Sequence, residues 1–155
     1  MSRIYEIKHR GEMLTRSVPA SSIIGKKVIA RNGKKVGEIG AIHIHPRRMN
    51  VEGIVVRKGF LERKNFIGKN YIRTLNNEGA MLNIIPAPEL IGMTVFDMEG
   101  KKIGRVKRVH RERKTNNVTS IVIGRGVLKK DTVVRGSSID EIGKNVTLKI
   151  RVPDE

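Results

Sequence analysis

Apolar residues along this chain come in short runs of isoleucine, valine and leucine, separated by glycine and by lysine or arginine, a pattern of strands and tight turns. Lys27-Val28-Ile29-Ala30 predicts a short strand, and Asn32-Gly33 behind it suits the positive φ angles of a two-residue hairpin turn. A longer strand is expected from Val36 to His45, then a turn at Pro46-Arg47-Arg48. The β-branched stretch Val51 to Arg57 predicts a buried central strand that ends at Gly59.

The same pattern then recurs. Shifted by 67 residues, the chain matches itself at 17 of the 56 positions from 19 to 74. Pro19-Ala20 falls on Pro86-Ala87, Gly33-Lys34-Lys35 on Gly100-Lys101-Lys102, His43 on His110, and Ile54-Val55 on Ile121-Val122. In the second copy the strands are expected at Ile103 to Arg111, Val118 to Ile123, Asp131 to Arg135 and Val146 to Ile150. Ser137 and Ser138, with isoleucines three apart at 139 and 142, predict one capped helical turn before the last strand. The expected organisation is an extension over residues 1–18, a first repeat over 19–85 and a second over 86–153. The fold class is all-β: two tandem small antiparallel barrels, each with one short helical turn, an arrangement that removes exposed sheet edges.

Three segments carry a resemblance: Leu90-Ile91-Gly92-x-x-Val95-x-Asp97, Gly100-Lys101-Lys102-Ile103-Gly104-x-Val106, and Ser138-Ile139-x-x-Ile142-Gly143-x-x-Val146. Each copy resembles a PRC-barrel domain, the small barrel of the photosynthetic reaction-centre H subunit, of the C-terminal half of a bacterial ribosome-maturation factor and of many short archaeal proteins. The resemblance implies an archaeal-type tandem PRC-barrel protein acting as an adaptor that holds a protein or ribonucleoprotein partner, with no catalytic centre. The first copy departs from the pattern at Phe66-Ile67-Gly68-Lys69-Asn70-Tyr71, which leaves closure of its barrel open.

Composition narrows the chemistry. The absence of cysteine excludes disulfides, thiolate metal sites and cysteine nucleophiles. No apolar run is long enough for a membrane span, so a soluble, cytoplasmic protein is expected. Gly124-Arg125-Gly126 lacks the third glycine of a dinucleotide fingerprint, and neither Gly68-Lys69 nor Gly143-Lys144 has phosphate-loop spacing. His43 and His45 share one side of a regular strand, but no neighbouring carboxylate completes a metal site or a catalytic pair. No cofactor, metal or catalytic residue is expected. Asp97, Glu99, Asp131, Asp140 and Glu141 fall where carboxylates satisfy turn amides.

The net charge of +17 is the remaining signal. Residues 1–20 carry +2, residues 21–86 carry +9 and residues 87–155 carry +6, so the charge belongs to the folded repeats rather than to a tail. A folded basic surface attracts polyanions. The candidate nucleic-acid-binding residues are Lys34, Lys35, Arg47, Arg48, Lys101 and Lys102 in turns, Lys129 and Lys130 in a loop, and the run Arg105, Lys107, Arg108, Arg111, Arg113 and Lys114. Arg105, Lys107, Arg111 and Arg113 share one parity and in a regular strand form a single basic ribbon. Scarce aromatics argue against a single-strand stacking platform, so the expected partner is structured RNA or a ribonucleoprotein such as a ribosomal subunit. The alternative is a protein–protein adaptor, for example in archaeal cell division, or a surface for self-association.

Overall fold

A computed structural model describes residues 5–7, 15–59, 64–112 and 116–154 of the chain. The protein divides into two compact units, Met1–Ile84 and Ile85–Glu155.

In the first unit, β1 (Tyr5–Ile7) and β2 (Thr15–Ser17) form a small antiparallel ribbon of their own. A single helical turn, Ala20–Ile23, precedes β3 (Lys27–Ile29), β4 (Lys35–His45), β5 (Asn50–Arg57) and β6 (Asn65–Gly68), and a 3-10 turn at Lys69–Tyr71 leads to β7 (Ile72–Asn76) and β8 (Gly79–Leu82). The second unit repeats this plan with β9 (Thr94–Phe96), β10 (Lys102–Arg111), β11 (Val118–Gly124), β12 (Thr132–Arg135), β13 (Ile139–Ile142) and β14 (Val146–Leu148). Spatial order is β6-β5-β4-β3-β8-β7 in one and β12-β11-β10-β9-β14-β13 in the other, so the first repeat adopts the full arrangement despite its divergent 66–71 segment. In both, the two end strands of the sheet are consecutive in the chain and joined by a single 3-10 turn. The sheets are not wholly antiparallel. The first and last strands of each repeat pair in parallel, Val28 with Ala80 and Val95 with Val146.

The cores are aliphatic, as three phenylalanines and two tyrosines in the whole chain require. Val28, Ile39, Ile54 and Ile67 are buried in the first unit, and their equivalents Val95, Val106, Ile121 and Val134 in the second. What brings these side chains to one face is a set of β-bulges. The β4–β5 register slips between Ile39 and Ala41, and the β10–β11 register slips at the equivalent place between Val106 and Arg108. A second slip lies where β3 meets β4 at Val36 and where β9 meets β10 at Ile103. Each bulge inserts one residue and reverses the alternation, bending the strand. Inward residues therefore fall three apart: Val36, Ile39 and Ile42 in β4, and Ile103, Val106 and Val109 in β10.

The same device corrects the expected helical turn. Only Gly136–Ser138 is helical, as a 3-10 turn without a side-chain cap, and Ile139 and Ile142 lie in a strand facing Leu148 and Val146. A register slip between Ile139 and Glu141 gives them their helix-like spacing. Ile72 and Leu75 repeat this in β7.

The hairpin turns are also one residue longer than Asn-Gly suggested. Ala30 N–H donates to Lys34 O and Gly33 N–H to Ala30 O, which encloses the three-residue loop Arg31-Asn32-Gly33; only Gly33 has positive φ, at 81°. Asp97, Gly100 and Lys101 reproduce these bonds, with Gly100 at φ 79°. This is a type I turn followed by a left-handed glycine. Close packing makes a different demand at Gly37, where a Cβ would stand 2.5 Å from the Arg57 carbonyl oxygen, and at Gly104, where it would collide with the Gly124 carbonyl.

Two outcomes follow for urea unfolding. Ile121→Ala, which leaves a cavity at a fully buried site, lowers stability by about 2–5 kcal/mol. Gly100→Ala, forced into the left-handed region, lowers it by about 1–2 kcal/mol.

Candidate nucleic-acid interface

The densest basic feature is β10. Arg105, Lys107, Arg108 and Arg111 are all exposed. Their arrangement differs from the expected ribbon, because the strand is not regular. Arg105 pairs with Gly124 and Arg108 with Val122, while Lys107 is the extra residue of the bulge between them. Lys107 and Arg108 thus stand exposed next to each other, and Val106 and Val109 turn to the core side. A further slip between His110 and Arg111 carries Arg111 out of this series. The result is a compact cluster at Arg105, Lys107 and Arg108 in place of a ribbon running the length of the strand. Lys107 Nζ lies 2.9 Å from Asp131 Oδ2, and an Arg111 guanidinium nitrogen donates to Asn116 Oδ1 at 2.6 Å. Arg113 and Lys114 lie outside the described residues.

The other candidates sit in turns. Lys129 and Lys130 are exposed in the loop between β11 and β12. Lys102 is the exposed first residue of β10, and Lys101 in the preceding turn pairs with Asp154. In the first unit Lys34 is exposed in the β3–β4 loop, its amide donating to Asn32 Oδ1 at 3.2 Å, and Lys35 faces Glu38 at 3.4 Å. Arg47 and Arg48 stand exposed in the turn after β4. That turn contains Met49, a non-glycine residue with φ of 54°.

The histidines have separate surroundings. His45 Nδ1 accepts the amides of Arg47 and Arg48 at 3.3 and 3.2 Å, so its ring braces the basic turn. His43 meets the Phe66 ring edge-on, centroids 5.3 Å apart, and a register slip separates it from Ile44. Among the described residues no group of three or more His, Cys, Asp or Glu is placed to hold a metal ion.

Among the described residues of the second unit, Asp97 is the buried charged one, 3% exposed. Its Oδ1 accepts the amides of Glu99 and Lys101 at 2.9 and 3.0 Å, the turn-capping role expected for it. Burial pushes its carboxyl up, but the amides of Lys101, Glu99 and Val152 and the charge of Lys101 outweigh this and hold it below the usual carboxylate value. The first repeat has Ala30 here and caps its turn from Asn32 instead. The turn also anchors the chain end: Met98 N–H donates to Ile150 O at 3.1 Å, and Arg151 pairs with Glu99.

One feature of the surface had no signal in the charge pattern. Val127 and Leu128, at the tip of the β11–β12 loop, are 104% and 99% exposed, next to Lys129 and Lys130. The apolar pair after Gly126 is visible in the sequence, but only the loop geometry shows that it points away from the core.

The sequence profile of the PRC-barrel domain matches residues 16–77 and again residues 82–152. Among solved structures, one described as a 16S ribosomal RNA processing protein, RimM, from Pseudomonas aeruginosa is 13% identical, with 82% of this chain and 78% of that chain covered and a TM-score of 0.35. Superposition at that level carries no argument about function. No curated protein matches the chain.

The Asp97 environment has a pH consequence. A carboxyl whose folded pKa is depressed contributes stability that is fully present above its unfolded value of about 3.9 and is lost as pH falls through the lower folded value. Asp97→Asn removes that contribution. Melting followed from pH 7 to pH 2 is expected to show a variant less stable than wild type at pH 7 and with a shallower decline below about pH 4.

Proposed function

The chain belongs to the PRC-barrel domain family, and from that membership we propose that it is a non-enzymatic adaptor, working in the cytoplasm, that docks on structured RNA or a ribonucleoprotein such as a ribosomal subunit. The observation that carries this reading is the exposed cluster of Arg105, Lys107 and Arg108 on one bulged strand of a folded, strongly basic chain. Adjacent cations held on a sheet contact backbone phosphates without reading bases. The bulge places two of them side by side where a regular strand would turn one inward. Lys102 at the start of the strand and Lys129-Lys130 in the β11–β12 loop of the same unit add to the positive potential.

A second reading rests on the exposed Val127-Leu128 tip. Two fully solvated aliphatic side chains followed by two lysines suit the apolar pocket of a protein partner with an acidic rim. On that reading the barrels are protein–protein adaptors, as in cell division of archaea.

The variant Arg105→Glu/Arg108→Glu separates the two. Lys107 is left unchanged because a glutamate there would face Asp131. Fluorescence anisotropy with a structured RNA is expected to show at least a tenfold loss of affinity with an unaltered melting temperature. Wild-type affinity should fall with salt by about 0.7–0.9 in log–log slope per phosphate neutralised. Unchanged RNA affinity, or a flat salt response, rejects the RNA reading. Conversely, Val127→Ser/Leu128→Ser is expected to leave RNA binding intact. If it instead abolishes co-sedimentation with ribosomal fractions while RNA affinity is unchanged, the apolar tip is the principal docking element.

A further inference from the structure

The loop between β11 and β12 turns on two aliphatic residues. Lys129 N–H donates to Gly126 O at 3.4 Å, which makes Val127 and Leu128 the central pair of a four-residue turn, and Gly126 before them has a φ of 112°. Turn centres are ordinarily filled by glycine, proline, asparagine or aspartate, whose backbone preferences or side chains help to form the turn. Valine and leucine offer neither, and at 104% and 99% exposure they bury nothing against the core. The loop is tied down at both ends of its base. An Arg125 guanidinium nitrogen donates to Pro153 O at 3.1 Å, with the Arg125 side chain 6% exposed, and Asp131 pairs with Lys107 of β10 at 2.9 Å. The 67-residue shift sets Phe60-Leu61 against Val127-Leu128, so an apolar pair follows the loop glycine in the sequence of both repeats; residues 60–63 lie outside the described residues.

Two exposed lysines, Lys129 and Lys130, come directly behind the apex. Among the described residues neither forms a salt bridge: Asp154, the carboxylate that feels Lys129, is bonded to Lys101 and stands 3.8 Å from Arg125. A phosphate backbone would engage these lysines but leave the two aliphatic side chains in water. A protein pocket would take the side chains, yet the apex supplies only a small part of the roughly 1,200–2,000 Å² that a stable protein interface buries. A bilayer surface satisfies both halves of the feature. It accepts a convex apolar point without shape complementarity, it places the following lysines among lipid phosphates, and an anionic leaflet attracts a chain of net charge +17. We propose that the Val127-Leu128 apex inserts into the interface of an anionic phospholipid membrane, with Lys129 and Lys130 on its headgroups. This goes beyond the RNA reading and does not rest on it, because the two aliphatic side chains have no part in the Arg105, Lys107 and Arg108 cluster.

The experiment is sedimentation of the full chain with vesicles of phosphatidylcholine containing one third phosphatidylserine, with pure phosphatidylcholine vesicles as the control. Binding to the anionic vesicles alone is expected. Val127→Ser/Leu128→Ser should weaken it by about tenfold or more, because the aliphatic side chains that leave water on insertion are gone, while melting temperature and RNA affinity stay at their wild-type values. Insertion is read directly with Leu128→Trp, since the chain has no tryptophan of its own. Its emission should move to shorter wavelength on anionic vesicles and be quenched by lipids brominated along the acyl chain. Absence of vesicle binding, undiminished binding in the folded serine variant, or Leu128→Trp emission that neither moves nor is quenched overturns the proposal. Vesicle binding unchanged in the serine variant together with lost co-sedimentation with ribosomal fractions overturns it too, and assigns the apex to a protein pocket.

Discussion

A six-stranded sheet that wraps around a core built of isoleucine, valine and leucine has to bend within a few residues, and the bulges in β4 and β10 do that bending. Without the slips at Ile39–Ala41 and Val106–Arg108, the alternation of a regular strand would send Ile39 and Ile42, or Val106 and Val109, to opposite faces. With them, residues three apart share the interior. Because the slips fall at equivalent positions in two repeats whose side chains there differ, they belong to the architecture rather than to a particular residue. Glycines at 37 and 104 allow the neighbouring strand to pass close enough for the curl to form.

That constraint also sets what the outer surface can display. A bulged strand presents its extra residue to solvent without disturbing the core, so the position is free to vary: Gly40 in one repeat, Lys107 in the other. One scaffold thereby carries two different surface arrangements, a cation cluster on the bulged strand of the second unit and an Arg57 side chain laid over Gly40 in the first.

Much of this was legible in the chain. The 67-residue shift, the glycine turns and the β-branched runs lead directly to two barrels of matching plan, and Asp97 reads correctly as a turn cap. The misreadings share a cause. Isoleucines at 139 and 142 look helical, and the arginines and lysines of β10 look like a parity ribbon, because a bulge converts a period of two into steps of three without leaving a dedicated residue type behind. The parallel pairing of first and last strands was likewise hidden, since nothing local records which distant strand a short edge will meet. The approach of the Arg57 side chain to Gly40, 17 residues away in the chain, likewise becomes apparent only once β4 and β5 are paired.

The parallel ladders β3–β8 and β9–β14 also bear on how the chain is made. Each module is stitched shut by its own final strand, about fifty residues after the first. On an elongating polypeptide, the opening strand of a module must therefore wait, with one edge uncovered, until the last has emerged. Arranging the protein as two successive modules divides that interval. The first seam can be sewn while the second is still being translated, so neither half exposes its open edge for the whole time of synthesis.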